Sequence, residues 1–440
     1  MILAADLGST NFKAAVFADD GSRLADSARP LPYAIRTHDR SELDPDAVTE
    51  TFFAVLDDAL SRAGAARKDL LAISITSQAQ TFRICDPEGR AVSPMFGWTD
   101  ARAHSEAEDL QALLGPAFHA TTGFPAVSPL LTLAKVLWWK RRHGLDRRLR
   151  IMQLPSWLAM HLGAPHATDH NLAAMSGLYS IPAGTWWAAA LDAIGVDSSQ
   201  LGTLVEPGQR VATSASTRPH GFADHLEVVF AGNDHTAGAL GCGCGAGRSI
   251  LTLGTAGVLY RHAGESPGPY SSNGLWGPFP GGGYYELLCL DHACSALDWA
   301  DEFLFGRVDS PRFVEQARAA VVTERSPRFD PGKWGTSSAW CGDGTPQEKA
   351  YAVLEGIAIA LHDMAGDSFC GEGGEIVILG GGSRLDFWVQ LVADIFQRRL
   401  IRVQDDGLDG AAGIAGIPVE TIPGSFTTFE PNIIYAKRLI

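Results

Sequence analysis

The chain has no paired CxxC spacing, no GxxxxGK[ST] run and no uncharged apolar stretch approaching the ~18 residues of a membrane span. Those absences argue against a zinc site, a P-loop and a bilayer anchor. Its seven cysteines, at 85, 242, 244, 289, 294, 341 and 370, are scattered along 440 residues, too sparse for a disulfide-stapled secreted fold. No basic n-region precedes the first apolar stretch, which already carries Asp6, so no export signal is expected and a reducing cytoplasm is the expected location. Cationic residues are also scarce: 35 Lys and Arg face 50 Asp and Glu, a formal net charge of -15, which argues against a nucleic-acid partner. The basic run from Lys140 to His143, followed by Arg147, Arg148 and Arg150, reads as a solvated helix end.

What remains is an ordinary globular composition, 46% hydrophobic and 19% charged, in a chain long enough for two domains. Two segments of one design lie far apart in it. Ile2 to Lys13 runs an apolar strand into the turn Gly8-Ser9-Thr10-Asn11 and out again, and Ser249 to Leu259 does the same through Gly254-Thr255-Ala256-Gly257. Each leaves backbone N–H groups and hydroxyls free at a turn, which suits an anion. Either alone is also what a plain hairpin looks like; the pair, opposed across a cleft, would hold a polyphosphate.

The flanking pattern is α/β. Asp44-Pro45 starts a helix whose apolar face is Val48, Phe52, Val55, Leu56, Ala59 and Leu60. Leu70 to Ile75 reads as a buried strand, Phe96 to Trp98 as another, Ala101 to Leu114 as a helix, and Ser128-Pro129 as the start of the next. In the second half Val228 to Ala231 is a strand and Thr345-Pro346 begins a long helix reaching about Asp367. Ile376 to Leu379 is a strand that feeds Gly380-Gly381-Gly382-Ser383 and a helix. Meanders followed by alternating helix and strand, given twice, predict two similar α/β domains facing across a cleft.

Two carboxylates stand where chemistry could use them. Asp6 closes a buried strand beside the first turn, where it either caps that turn or faces Mg2+, a cation that takes one or two carboxylates plus waters and phosphate oxygens. Asp234 follows the strand at 228–231, as a helix N-cap or as the general base that takes a proton from an alcohol while its oxygen attacks phosphorus. Gly381 and Gly382 give close backbone approach to a purine and ribose, or only tight packing; they do not match the dinucleotide GxGxxG pattern. On the acceptor side, Gln78 and Gln80 follow one buried strand, and Trp98 and Asp100 follow another. Amides, an indole face and a carboxylate suit a polyol. Taken alone, Trp98 is more often core, and His235 could bind a hydroxyl or pack beside Asp234.

Taken in order, these segments resemble the FGGY-type carbohydrate kinases of the sugar kinase, Hsp70 and actin superfamily. The likeness runs through Asp6-Leu7-Gly8-Ser9-Thr10-Asn11 with Lys13, Ser77-Gln78, Trp98-Thr99-Asp100-Ala101-Arg102, Thr168-Asp169 and Gly232-Asn233-Asp234-His235-Thr236-Ala237-Gly238. It continues in Leu253-Gly254-Thr255-Ala256-Gly257, Val353-Leu354-Glu355-Gly356 and Leu379-Gly380-Gly381-Gly382-Ser383-Arg384. It implies two ribonuclease-H-like (actin-like ATPase) domains across a central cleft, residues 1–241 for acceptor and base and 242–440 for ATP. Gly8, Ser9, Thr10, Asn11, Lys13, Gly254 and Thr255 would flank the ATP phosphates, Gly381, Gly382 and Arg384 the adenosine. Asp6 and Asp234 would hold Mg2+, with Asp234 also the base. Gln78, Gln80, Trp98, Asp100, Asp234 and His235 would bind the sugar or polyol, a ketopentose by class.

The pattern departs from the family at three points. Gln78-Ala79-Gln80 stands where xylulose kinases carry Gln-Met-His and glycerol kinases Gln-Arg-Glu. His235 stands where Asn or Gln is usual, and a short segment at 329–344 replaces a longer loop. A homodimer is among the expected assemblies, its contacts open to change by that loop. A sugar or nucleotide sensor without catalysis is the alternative function. A chaperone-like or filament ATPase of the same superfamily would need a peptide-binding or polymerising region that the sequence does not show.

Overall fold

The computed structural model describes residues 1–245, 247–366, 369, 374–403, 407–419 and 426–432. They divide into two compact units. Unit 1 comprises Met1–Gly241, Ala263–Tyr285 and Asp406–Thr421; unit 2 comprises Cys242–His262, Glu286–Asp405 and Ile422–Ile440. Both late stretches of unit 1 return to it after the chain has entered unit 2.

The central sheet of unit 1 runs in the order Arg210–Ala212, Glu227–Asn233, Ala72–Ser77, Ile2–Leu7, Asn11–Phe17, Arg23–Pro30. Ile2–Leu7 folds back antiparallel on Asn11–Phe17 and pairs in parallel with Ala72–Ser77, which pairs in parallel with Glu227–Asn233. Every residue of Ile2–Leu7 is buried, because both faces of the sheet are covered. On one face Leu3, Ala5 and Leu7 meet the helix Pro45–Arg62 through Val48, Phe52, Val55, Leu56 and Leu60. Asp44 caps that helix, accepting from the amides of Asp46 and Ala47 at 3.0 and 3.2 Å. On the other face Ile2, Ala4, Ala15 and Phe17 meet Leu408, Ala411, Ala412 and Ala415, so the helix Leu408–Ile414 completes a sheet begun some 400 positions earlier.

A second, antiparallel sheet in unit 1 orders Tyr33–Arg36, Ser41–Leu43, Met95–Phe96, Phe82–Cys85 and Arg150–Gln153. It packs against the helices His104–Thr122 and Thr132–His143. Unit 2 repeats the topology of unit 1's central sheet. Arg248–Leu253 folds back on Gly257–Gly264 and pairs in parallel with Glu375–Leu379, itself parallel to Leu400–Arg402. The helix Pro346–Ala365 covers it, closed at its start by a reciprocal cap in which Thr345 and Glu348 satisfy each other's backbone amides.

Several element boundaries differ from the sequence reading. The strand expected at Leu70 to Ile75 is Ala72–Ser77. The helix expected from Ser128-Pro129 begins at Thr132, because Ser128 closes a turn instead, accepting at its carbonyl from Leu131 N and at its hydroxyl from Leu130 N. The helix expected from Ala101 begins at His104 and continues to Thr122, delayed because Asp100 draws the next residues into a turn through Arg102 N. Phe96 to Trp98 is a strand only at Met95–Phe96, and Trp98 is exposed rather than core. The small-residue stretch after Asp234 is a helix, Asp234–Gly241. The expected end of the long helix near Asp367 lies outside the described residues. Among the described residues no helix is long and apolar enough to cross a membrane.

Candidate active site

Register decides what unit 1 brings together. Leu7 pairs with Ser77 and Asn233 also pairs with Ser77, so three parallel strands end side by side. Asp6, Gln78 and Asp234 therefore stand at one edge of one sheet, the edge where open α/β sheets collect ligands. The two carboxylates are two strands apart, about 10 Å at ordinary strand spacing. Asp6 is buried, with Lys13 Nζ at 3.7 Å from its Oδ2. The Gly8-Ser9-Thr10 turn sits beside it, tied down by Tyr33 OH on the Ser9 carbonyl at 2.9 Å and Leu31 N on the Thr10 carbonyl at 2.9 Å. Asn11 opens the return strand. Gln78 is buried, its Nε2 donating to the Gly8 carbonyl at 3.4 Å, while its Oε1 has no hydrogen-bond partner among the described residues. A buried carbonyl oxygen left this way lacks the bond that offsets its desolvation.

Asp234 is not the cap of its own helix. Asn233 Oδ1 takes that place, accepting from Thr236 N at 3.0 Å, and the Asp234 carboxylate bonds only to the neighbouring His235 amide, at 2.9 Å among the described contacts. The turn that presents it is pinned from the helix His170–Ala174. Asn171 Oδ1 accepts from Asn233 N and Nδ2 at 2.9 and 2.7 Å, while its own amide donates to Thr236 Oγ1 and the Pro278 carbonyl. Asp169 accepts from Gly232 N at 3.1 Å and Leu172 N at 2.9 Å. Burial pushes its carboxyl up to about 6, against the pull of those amides. Neither role was read from the sequence, where Asp169 stood only as part of a motif. An Asp followed by Asn two positions later, ahead of a short helix, was the available signal.

The acceptor-side residues divide. His235 and Trp98 are exposed. Asp100 is buried and committed, accepting from Ser41 N at 2.9 Å and pairing with Arg102 at 2.9 Å, which in turn reaches Glu42 at 2.8 Å. Gln80 is likewise committed: its Oε1 accepts from Thr132 N at 3.0 Å and its Nε2 donates to the Met175 carbonyl. Its φ of +61 places a non-glycine residue in the left-handed region. So Gln78 keeps one polar atom without a partner among the described residues, while the side-chain groups of Asp100 and Gln80 are taken up by neighbouring turns.

Unit 2 brings its own candidates together. The parallel register of Thr252 with Leu379 sets the turn Gly254-Thr255 beside Gly380 to Gly382. The approach is close: a Cβ on Gly380, whose φ is +86, would lie 2.5 Å from the Leu253 carbonyl oxygen. Gly254 and Thr255 carbonyls also receive Cys294 N and Ala293 N, each at 3.0 Å, seating the start of the helix Cys294–Phe305 against this turn. Gly381 and Arg384 are exposed, and a Cβ on Gly381 would meet nothing within 4 Å. That is open space above backbone.

Among the described residues no cluster of three or more His, Cys, Asp or Glu could hold a metal by itself. Two carboxylates at one sheet edge beside an amide-rich turn do match what Mg2+ uses, since it retains waters and takes phosphate oxygens rather than an all-protein cage.

Two α/β units, each built on a hairpin whose first strand is joined by later parallel strands, define an actin-like ATPase fold. The ligand-bound xylulose kinase of Lactobacillus acidophilus superposes with a TM-score of 0.86 at 20% identity, covering 99% of this chain and 94% of that one. The Plasmodium falciparum glycerol kinase with ADP gives 0.86 at 17% identity, covering 100% and 95%. By sequence, the chain is 27% identical over 423 residues to the Escherichia coli xylulose kinase (91% of this chain, 86% of that protein). It is 26% identical to a glycerol kinase of Bradyrhizobium diazoefficiens, covering 99% and 95%. The N-terminal domain of the FGGY family of carbohydrate kinases matches residues 1–241, and the chain belongs to that family. It is accordingly a phosphotransferase that uses a sugar or polyol and ATP.

Proposed function

We propose that this enzyme transfers the γ-phosphoryl group of ATP to a hydroxyl of a small sugar or polyol, a ketopentose such as xylulose or ribulose being the class, with Asp234 as general base. The observation that supports it most is the register ending three parallel strands beside Asp6, Gln78 and Asp234. Asp234 takes the acceptor proton as that oxygen bonds to phosphorus, and the bond to the bridging oxygen breaks to leave ADP. Gln78 Oε1 accepts from a second hydroxyl and Trp98 offers a ring face to the sugar's C–H groups. His235 stands next to the base. Asp100 and Gln80 act by holding the turns that carry these groups.

Residues 1–241 take the acceptor and base in this reading, and 242–440 the nucleotide. Gly8, Ser9, Thr10, Asn11 and Lys13 with Gly254 and Thr255 bind phosphates, and Gly381, Gly382 and Arg384 the adenosine. Asp6 and Asp234 would hold Mg2+, which when bound neutralises phosphate charge. The same reading places the enzyme in the cytoplasm with no nucleic-acid or membrane partner, in keeping with its net charge of -15, and leaves a homodimer among the assemblies it allows.

Release of ADP, followed across ketoses, aldoses and polyols, tests the assignment. A ketopentose is expected to give the highest kcat/KM. Sugar binding without ADP from any acceptor would make the protein a sensor instead. The pinning of the Asp234 turn gives a further expectation: Asn171→Ala removes four hydrogen bonds around it and should lower kcat by about 10-fold through misplacement of the base. Unchanged kcat in that variant would mean the turn holds its own shape.

A further inference from the structure

A single buried lysine joins the two acceptor-side turns. Lys135 lies on the helix Thr132–His143 and is 1% exposed, a lone charge in the apolar run Leu133 to Trp138. Its Nζ donates to the Gln80 carbonyl and the Gly97 carbonyl, each at 2.9 Å, and sits 5.8 Å from the centroid of the Phe82 ring. One of those carbonyls belongs to the turn after the strand Ala72–Ser77, the other to the turn that presents Trp98. One helical turn earlier, Thr132 N and Oγ1 hold the Gln80 side chain at 3.0 and 3.4 Å. Gln80 is thus gripped at its backbone and its amide by two residues of one helix face.

We propose that Lys135 is a positioning residue for acceptor recognition, setting the distance between the Gln78-Ala79-Gln80 turn and the Gly97-Trp98 turn. The inference rests on the reading that those turns receive the acceptor, and it goes beyond that reading in assigning their spacing to one side chain. A lysine is exposed or ion-paired in most folds. Among the described residues no carboxylate pairs with this ammonium. Desolvation lowers the lysine's pKa to about 7, while Asp100 and Arg102 act on it in opposite directions. An amine kept in so costly a place, with two turn carbonyls as its acceptors, is placed for those carbonyls. Gln80 needs such a hold, because its left-handed backbone is a conformation that a free chain leaves.

The test compares wild type with Lys135→Met, which keeps the stem and drops the donors, and with Lys135→Gln, which keeps one donor and serves should the Met variant not fold. Two readouts are taken on the full chain. Hydrogen exchange of peptides spanning 78–82 and 97–101 is expected to speed by about 10-fold in the Met variant and less in the Gln variant. The acceptor KM is expected to rise by about 10-fold, with kcat and the ATP KM within about two-fold. Unchanged exchange in both segments overturns the positioning role. Faster exchange with an unchanged acceptor KM overturns the link to recognition. Exchange is read without turnover, so an inactive wild type would refute the kinase assignment while still deciding whether Lys135 holds the two turns.

Discussion

Asp234→Asn is expected to lower kcat for sugar phosphorylation by about 10³-fold or more, the scale of losing a positioned general base. Nucleotide binding should persist in the same variant, because the residues proposed for adenosine, Gly381, Gly382 and Arg384, lie in unit 2. The substitution is nearly isosteric, and the carboxylate it replaces does not cap the helix. Asn233 performs that task through Thr236 N at 3.0 Å, so the local fold should survive. Calorimetric titration with ATP, beside an ADP-release assay, separates the outcomes. A variant that binds ATP and still turns over near the wild-type rate would remove Asp234 from the chemistry and, with it, the reading of the sheet edge as a phosphoryl-transfer site.

Gly410→Ala should damage unit 1 despite adding only a methyl group. The helix Leu408–Ile414 crosses Asp234–Gly241 so closely that a Cβ at Gly410 would lie 1.7 Å from the Ala237 carbonyl oxygen and 3.0 Å from Gly241 N. Both obstacles are backbone, which cannot turn aside as a side chain can. The helices must part. A methyl group at an ordinary helix position gains about 1 kcal/mol over glycine. Here overpacking should outweigh that, for a net loss on the order of 2 kcal/mol. Because one of the two helices begins at Asp234, the separation should also move the base and lower kcat. Urea unfolding and kinetics on the same preparation decide the matter; an unchanged midpoint would mean that the helices part without penalty.

Local physics made part of this structure legible. Asp44-Pro45 predicts a capped helix because Asp accepts its own first amides and proline fits the first turn, and both are what the fold contains. The two hairpins were legible because strand, small turn and strand follow one another directly. Ser128-Pro129 misled because the same chemistry closes a turn as readily as it opens a helix, and only the surroundings choose. Trp98 was read both as an indole face for a polyol and as core, and its exposure after a two-residue strand removes only the core reading. The hold on Asp234 was out of reach, since Asn171 and Asn233 are 62 positions apart and nothing in either neighbourhood names the other. Lys135 was passed over as one polar letter in an apolar face, although a charge within such a run was itself the clue. Asp100 and Gln80 were legible as polar groups near an acceptor, but which polar atoms remain open to a ligand depends on three-dimensional saturation.

The return of residues 406–421 to unit 1 bears on how the molecule is made. Ribosomal synthesis delivers the strand Ile2–Leu7 some 400 positions ahead of the helix Leu408–Ile414 that shields Ile2, Ala4 and Phe17. While the intervening residues are made, then, one side of that sheet stays greasy and uncovered, a hazard for sticking to other nascent chains. A chaperone, or a slow start to strand pairing, would have to bridge that interval.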